Sequence, residues 1–484
     1  MNKKNLVRIM SIVTAAVLAL SLTACGKTNT DAADQSTGAV TETASVTDTA
    51  ETTVKEEITN TNDSEHAIEV SGETAEYANI KVTKNGDSDL GDEADFYGDN
   101  AAIFATEGAT LTLTDIEVDT DGKHANAVFS YGEGTTVNIS DSVITTSGDC
   151  SGGLMTTGGG TMNAENLDIH TTGNSSAAIR SDRGGGTVNV TGGTYTTDGK
   201  GSPVIYSTAD ITVSDAALVS TASQGVVVEG RNSVTLNNVT LAADNNTKNS
   251  DKSDWYQAVM IYQSMSGDAA QGLATFTMTD GSLTNMNGDV FFVNNTTAAI
   301  TLENVEIVNQ DTDGVFLRAA AAGWGSEGSN GGKVNLTLNN QTLEGDILVD
   351  SVSALNMYLA SKTVYTGAVN EENEGEVYVE IESGSKWVLT GDSYITSLTC
   401  DADGIDLNGH TLYINGKAYS EGTASSGTAI EMATEAASGG EQNGMPGEAP
   451  SGERPQGGPE DGNGEPPERP EGGNGEPPAK PDGN

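Results

Sequence analysis

Residues 110–120 read TLTLTDIEVDT. Leu111 and Leu113 alternate with threonine, which is typical of a β-strand with one buried face. Asp115 interrupts the alternation, which then resumes from Ile116. This strand–turn–strand frame decides the fold, because the same pattern returns along most of the chain.

The frame recurs at a spacing of 23–26 residues in the first half of the chain. A second short apolar segment precedes it in most repeats. Regular self-similarity of this kind indicates a solenoid, in which each repeat buries its apolar face against its neighbours. The frame begins at Leu111, Val137, Met162, Val188, Ile211, Val234, Phe276, Ile300, Leu336, Trp387 and Ile405.

The residue at the turn of the frame is always Asp, Asn or Gly. These are the residue types that best tolerate a left-handed backbone, which a sharp corner between two strands needs. We therefore interpret Asp115 as a corner residue, because glycine could not replace a catalytic carboxylate in the equivalent position. The turn residues are Asp115, Asp141, Asn166, Gly192, Asp215, Asn238, Asp280, Asn304, Asn340, Gly391 and Gly409.

Coils of 18–26 residues with two or three short strands and a left-handed corner resemble the right-handed parallel β-helix, the pectin-lyase-like architecture. The resemblance covers residues 66–420 and rests on the repeated frame. It implies an all-β solenoid of roughly 13 coils with one continuous apolar interior. We expect a monomer.

The N-terminus is typical of an exported protein. Residues 1–24 combine a basic start with a short apolar run and are predicted to be a signal peptide. The sequence around Cys25, LTACG, resembles the lipobox of bacterial lipoproteins. That resemblance implies lipidation of Cys25, membrane anchoring on the outer face of the cell membrane, and exposure at the cell surface. Residues 25–65 are predicted to be a disordered Thr/Ala/Glu-rich linker.

Residues 421–484 differ from the solenoid in composition, since ten of the eleven prolines lie between Pro446 and Pro481. We predict a disordered Pro/Gly/Glu-rich tail.

The net charge is −48, and −48 − 3 = −51 without residues 1–25, which hold three basic and no acidic residues. Such an acidic chain repels phosphate backbones, so no nucleic-acid partner is expected, whereas calcium would be favoured.

The solenoid geometry separates the two remaining cysteines. Cys150 follows the second frame and Cys400 precedes the last, so they lie about nine or ten coils, or roughly 40–50 Å, apart along the axis. A disulfide requires Cα atoms within about 7 Å. We expect both thiols to be free.

Two insertions interrupt the repeat, at residues 242–272 and 319–332. Their segments 263–272 and 319–332 follow equivalent strands, VMIY and VFLR, two coils apart and should project from the same edge. Trp255, Tyr256 and Trp324 lie in them. Aromatic faces among Asp and Asn suit a sugar ligand. The alternative is that the tryptophans only pin the loops to the solenoid.

Evidence for catalysis is weaker. Two DTDG segments place Asp119 with Asp121, and Asp311 with Asp313; these carboxylates are either calcium ligands or ordinary turn residues. Lyases with the architecture that this chain resembles use an Asp cluster with a basic residue. The resemblance makes Asp311, Asp313 and Arg318 the candidates if the protein is an enzyme, and Arg180 and Arg183 are further arginines to consider.

The sequence lacks the Asn-Thr-Asp, Asp-Asp and Gly-His-Gly segments of polygalacturonase-like hydrolases. The four histidines are scattered, so no zinc site is expected. These absences favour a non-catalytic, adhesin-like surface protein that binds a glycan or a neighbouring cell. The alternatives are a polysaccharide lyase or hydrolase acting at the inserted loops, and a purely structural envelope protein.

Overall fold

The alternation at residues 110–120 forms two strands, Thr110–Thr114 and Glu117–Thr120, in a computed structural model that describes residues 55–432. Their apolar side chains are buried and Asp115 stands between them. The predicted all-β fold, a parallel β-helix, is confirmed. The predictions for residues 1–24, for Cys25, and for the tail beyond residue 432 lie outside the described residues.

The described chain contains one short helix, α1 (Asp92–Tyr97), and 37 strands. The strands are β1 (Glu56–Asn60), β2 (Ile68–Ser71), β3 (Thr74–Ala78), β4 (Ile80–Lys84), β5 (Ile103–Thr106), β6 (Thr110–Thr114), β7 (Glu117–Thr120), β8 (Val128–Tyr131), β9 (Thr136–Ser140), β10 (Val143–Thr146), β11 (Leu154–Thr157), β12 (Gly160–Thr171), β13 (Ile179–Ser181), β14 (Gly186–Thr197), β15 (Ile205–Ser207), β16 (Asp210–Ser214), β17 (Ala217–Ser220), β18 (Val226–Glu229), β19 (Ser233–Ala243), β20 (Gln257–Tyr262), β21 (Leu273–Asn285), β22 (Asp289–Asn294), β23 (Thr297–Glu303), β24 (Glu306–Asn309), β25 (Leu317–Ala319), β26 (Lys333–Asn339), β27 (Thr342–Glu344), β28 (Ile347–Val349), β29 (Ala354–Ala360), β30 (Val364–Thr366), β31 (Glu376–Ile381), β32 (Lys386–Val388), β33 (Ser393–Ile395), β34 (Ser397–Cys400), β35 (Ile405–Asp406), β36 (Leu412–Ile414) and β37 (Lys417–Ala418).

These strands form four sheets, of 19, 11, 4 and 3 strands. The largest sheet holds the strands of the repeated frame, and the eleven-stranded sheet holds the short strand that precedes the frame in the first eleven coils. Each coil pairs in parallel with the next, so the inward apolar side chains stack into one continuous core. The frame strands β3, β6, β9, β12, β14, β16, β19, β21, β23, β26, β29, β31 and β34 give thirteen coils.

The corners adopt the predicted left-handed conformation. Asp115, Asp141 and Asn166 have φ angles of 51°, 50° and 53°. Corner side chains also bond to each other from coil to coil, since the Asn166 amide donates to the Asp141 carboxylate at 2.7 Å. Among the eleven predicted corners, Gly391 is the exception, because its φ is not positive.

That exception reflects two wrong frame assignments near the C-terminus. Leu336 pairs with Met357 and then Val379, so the true frame continues through β29 and β31. Trp387 and Ile405 instead lie on the four-stranded sheet, which forms after the corner in the last coils. Both sheets bury alternate apolar residues, which is why the sequence pattern did not separate them.

A second corner is formed by glycines that stack directly on one another. Gly122, Gly148, Gly173 and Gly199 occupy equivalent places in successive coils. A Cβ atom on Gly148 would overlap the carbonyl oxygen of Gly122, and one on Gly173 would overlap that of Gly148. The Asp-Gly pair of the first DTDG segment therefore includes a glycine that close coil stacking requires.

The two cysteines are free, as predicted. Cys150 is half-buried in a turn before β11, and Cys400 is buried in β34, the last frame strand.

The solenoid ends differ from each other. The first coil includes β1, within the range predicted as linker, and its exposed side chains include Glu56, Glu69 and Glu76. At the other end β36 and β37 pair in antiparallel fashion, and Ser425, beyond the predicted solenoid boundary, bridges Cys400. Within residues 55–432, no helix has the length and hydropathy needed to cross a bilayer.

Candidate functional site

The outer face of the eleven-stranded sheet carries a row of nine side chains, most of them large, one from each of nine successive coils. Strand register places them directly above one another, and the alternation that sends their neighbours into the core turns them outward. Side chains on a solvent-facing sheet are usually polar, so this row indicates that other segments of the chain cover this face. The row contains Phe104, Phe129, Met155, Arg180, Tyr206, Val227, Met260, Phe292 and Arg318.

One end of the row is covered by a segment that contains α1, inserted between β4 and β5. The helix ends at Gly98, whose left-handed φ of 75° lets its amide bond to the Ala94 carbonyl. Phe96 is buried, and its carbonyl accepts a bond from the Thr157 hydroxyl at 2.7 Å. Beneath the segment Ala101, Phe104, Phe129 and Met155 form a separate apolar cluster.

The other end of the row is covered by the two predicted insertions. Trp255 packs on Phe292 with ring centroids 5.5 Å apart, and Arg318 lies over its ring at 4.7 Å. Trp324 meets Tyr262 edge-on at 5.2 Å. Both tryptophans are half-buried, so each also leaves ring surface towards the space between the loops.

An open cleft lies between these two covers. Arg183 joins them, since its guanidinium stacks on Phe96 at 3.9 Å and pairs with Asp268 at 2.7 Å. The half nearer α1 is lined by Asp92, Arg180, Asp182, Tyr206, Tyr262 and Asp268, among others. The half nearer the insertions is lined by Asn245, Lys248, Asn249, Trp255, Tyr256, Met260 and Trp324, and shares Tyr206 and Tyr262 with the first half.

The charged floor of the cleft centres on Arg180. Its guanidinium pairs with Asp95 from α1 at 3.2 Å and with Asp182 at 2.9 Å. Burial raises the pKa of Asp182 to about 6, although Arg180 and the Arg183 amide act in the opposite direction. For Asp95 burial also acts upward, but Arg180 and His124 outweigh it and hold the pKa of this carboxyl below its ordinary value.

A third buried carboxylate, Glu229, lies on the next coil but one from Asp182. Its Oε2 accepts hydrogen bonds from the Tyr206 hydroxyl and, at 3.0 Å, from the Tyr262 hydroxyl. Burial raises the pKa of both tyrosines, so both stay protonated donors at neutral pH. Within the described part of the chain, Glu229 Oε1 has no bonding partner.

The structure brings together the three aromatic residues chosen from the sequence. Trp255, Tyr256 and Trp324 come from two insertions and line the same half of the cleft. Sequence reasoning missed Tyr206, Tyr262, Asp182 and Glu229. The register of the coils is the signal that would have placed them on one face.

The three residues considered for catalysis, Asp311, Asp313 and Arg318, have different surroundings. Arg318 pairs with Asp289, with Nε 2.6 Å from Oδ2. The Asp311 carboxylate accepts the amide of Asp313 in its own turn at 2.9 Å and the amide of Gly288 in the preceding coil at 2.7 Å, and these bonds lower its pKa. Asp313 is exposed. The assignment of Asp311, Asp313 and Arg318 as the catalytic set of an enzyme stays a prediction.

The first DTDG segment also has protein partners. Asp119 pairs with Lys81 at 2.6 Å, and Asp121 accepts the Asn85 amide at 2.7 Å. Calcium binding at either DTDG segment remains a prediction, and at Asp119 the ion would compete with a lysine.

The chain was compared with protein-family models, with curated proteins and with solved structures, and none of them matches.

The raised pKa of Asp182 predicts a pH dependence of stability. The folded protein holds the proton of Asp182 up to about pH 6, whereas the unfolded chain holds it only up to the ordinary pKa of 3.8. The stability that this proton contributes is therefore complete below about pH 4 and is lost as the pH rises through 6. The difference between the two pKa values corresponds to about 3 kcal/mol in the free energy of unfolding. Between pH 4 and 6, Asp182→Asn should make the unfolding free energy less dependent on pH. The measurement is urea unfolding at several pH values.

Asp254→Asn is the control for this experiment, because the Asp254 carboxylate is exposed and its lysine partner, Lys248, lies 3.4 Å away. If the unfolding free energy of Asp182→Asn depends on pH as steeply as that of the wild type, the raised pKa of Asp182 is contradicted.

Proposed function

We propose that this protein is a lipid-anchored cell-surface β-helix, adhesin-like, that binds a glycan in the cleft over its eleven-stranded sheet. The observation that carries the proposal is that Trp255, Tyr256 and Trp324 line one cleft, although they come from separate insertions. Sugar rings pack their apolar faces on aromatic side chains, while their hydroxyls bond to amides and carboxylates. Asn245, Asn249 and Lys248 supply such groups in the same half of the cleft.

The contacts that hold the two tryptophan rings are consistent with glycan binding as well as with packing of the loops. Arg318 and Phe292 fix the ring of Trp255, and Tyr262 fixes Trp324, so both rings are positioned before a ligand arrives. A preorganised site loses less side-chain entropy on binding than a flexible one. The lipid anchor at Cys25 and the pectin-lyase-like relationship belong to the proposal and rest on the sequence resemblance.

A glycan array with the purified protein tests this function. We expect saturable binding to a glycan, weakened roughly tenfold by Trp255→Ala or Trp324→Ala, which is about 1.4 kcal/mol. Tyr394→Ala is the matched control, because Tyr394 is a half-exposed aromatic residue that stacks on Tyr413 in the small C-terminal sheet, away from the cleft. Absence of binding across the array, or equal loss in the control, would refute the proposal.

Polysaccharide cleavage is the second candidate function, and the specific observation in its favour is the pair Asp182 and Glu229. Glycosidases use two carboxyl groups across the scissile bond, one of which has a raised pKa. Here Asp182 has a pKa of about 6 and Glu229 has a free oxygen atom. New reducing ends or unsaturated products from a bound glycan, lost in Asp182→Asn and in Glu229→Gln, would favour this function over simple binding.

A further inference from the structure

We propose that Asp95, His124 and Cys150 form a zinc site that fastens α1 to the solenoid. The ligand atoms of these three side chains all lie within 4.8 Å of one another, and in the part of the chain that the structure describes they are the one such group of three. They come from three separate segments. The site is independent of the proposed function, although α1 forms a wall of the cleft.

The solenoid itself brings two of the ligands together. His124 and Cys150 occupy equivalent left-handed corners of successive coils, both with φ of 58°, and Ser175 and Gly201 fill the same corner in the next coils. The His124 amide donates to the Asp149 carbonyl, and the Cys150 amide donates to the Asn174 carbonyl, so these corners stack one above the other. The side chains of a histidine and a cysteine therefore project side by side. Asp95 reaches them from the inserted helix.

The distances fit a tetrahedral ion after a small adjustment. Zinc bonds to nitrogen and oxygen at about 2.0–2.1 Å, so two such ligand atoms lie about 3.3 Å apart in a tetrahedral site. His124 Nδ1 and Asp95 Oδ1 are 3.1 Å apart. The sulfur has to approach by up to about 1 Å, since a zinc–sulfur bond of about 2.3 Å implies a separation near 3.6 Å. Cys150 is half-buried, which leaves it room to move and gives the ion a route from solvent.

The donor set identifies the metal class. A thiolate, an imidazole and a carboxylate together suit zinc, whereas calcium and magnesium take oxygen ligands alone. The thiolate and the carboxylate neutralise the two charges of the ion. The fourth position would be taken by water, because the described residues offer three ligands here.

Neighbouring groups hold the carboxylate in place for this role. Arg180 Nη1 donates to Asp95 Oδ2 at 3.2 Å, and the Asn126 amide donates to Asp95 Oδ1 at 3.2 Å. Hydrogen bonds of this kind orient metal ligands and are worth roughly 10–100-fold in metal affinity. Zinc binds the thiolate form of cysteine, so binding would release the proton of the Cys150 thiol.

Zinc titration of the metal-free protein tests the site. After chelator treatment and dialysis, we expect one equivalent of Zn²⁺ per chain by competition with a chromophoric zinc indicator, and a rise in the unfolding temperature on zinc addition. Co²⁺ should give a thiolate charge-transfer absorption band. Cys150→Ser should weaken zinc binding by more than roughly 100-fold. Loss of a group that only hydrogen-bonds to a metal ligand costs at most about that much, so a larger loss indicates that Cys150 binds the metal itself. It should also abolish the cobalt band.

Three controls keep the test decisive. Cys150→Ser should fold, because serine occupies the equivalent corner at Ser175, and circular dichroism checks this. Cys400→Ser removes the other solenoid thiol, and His170→Gln removes an exposed histidine that pairs with Asp198 at 2.7 Å. Both should bind zinc as the wild type does. Less than one tenth of an equivalent bound by the wild type, or undiminished binding by Cys150→Ser, would overturn the assignment.

Discussion

Replacing Gly148 with alanine is expected to lower the free energy of unfolding by at least about 3 kcal/mol, the upper end of the usual cost of overpacking. The added Cβ would overlap the carbonyl oxygen of Gly122 in the preceding coil. The obstacle is backbone rather than the end of a flexible side chain, so no rotamer change relieves it. The coils would have to separate at this corner, which would also weaken their mutual hydrogen bonds.

Gly108→Ala separates this overlap from the effect of backbone angle. Gly108 has a left-handed φ of 78°, yet a Cβ there meets nothing within 4 Å, so alanine should cost only about 1–2 kcal/mol. Both variants can be compared by urea unfolding followed by circular dichroism. A loss in Gly148→Ala no larger than that in Gly108→Ala would show that the coils are not packed as tightly as described.

Arg180→Met should be similarly damaging, with an expected loss of about 3–5 kcal/mol. The guanidinium pairs with both Asp95 and Asp182, which are 2% and 6% exposed. Methionine has comparable length but no charge, so the variant leaves two carboxylates buried without their cation. Loss of the cation raises the pKa of both carboxyls, because Arg180 lowers the pKa of Asp95 and also opposes the effect of burial on Asp182. The variant should therefore regain stability as the pH falls from 7 towards 5.

Arg183→Met is the matched control, since Arg183 is also paired with an aspartate but its side chain is 40% exposed. An exposed pair contributes about 0–1 kcal/mol, so this variant should stay close to the wild type at every pH. Thermal and urea unfolding at pH 5, 6 and 7 measure both variants. Equal losses in the two variants would mean that the Arg180 pairs are not effectively buried.

The repeat could be predicted from the sequence because the same physical constraint acts on every coil. Corners at Asp115, Asp141 and Asn166 are left-handed as expected, since only a few residue types adopt that backbone at low cost. The assignment was wrong at Trp387 and Ile405, where a different sheet carries the same alternation. Alternation reports burial on one face but does not report which sheet the strand joins.

The candidate site was only partly predictable. Trp255 and Trp324 were found because their insertions break the period. His124 was set aside because the histidines are scattered in sequence, although Cys150 lies one coil further on. Comparing equivalent corners would have paired these two residues. Asp95 could not have been added, because its position depends on how the inserted helix packs across several coils.

The two unlike ends of the solenoid bear on whether copies of the chain can join end to end. A stack of parallel strands presents an unpaired edge at each end, and such edges can join copies into fibres. Here one edge carries exposed Glu56, Glu69 and Glu76, so approaching copies repel each other, while the opposite edge is closed by the antiparallel strands β36 and β37 and by Ser425. Both features of the described residues disfavour strand pairing between the ends of two solenoids.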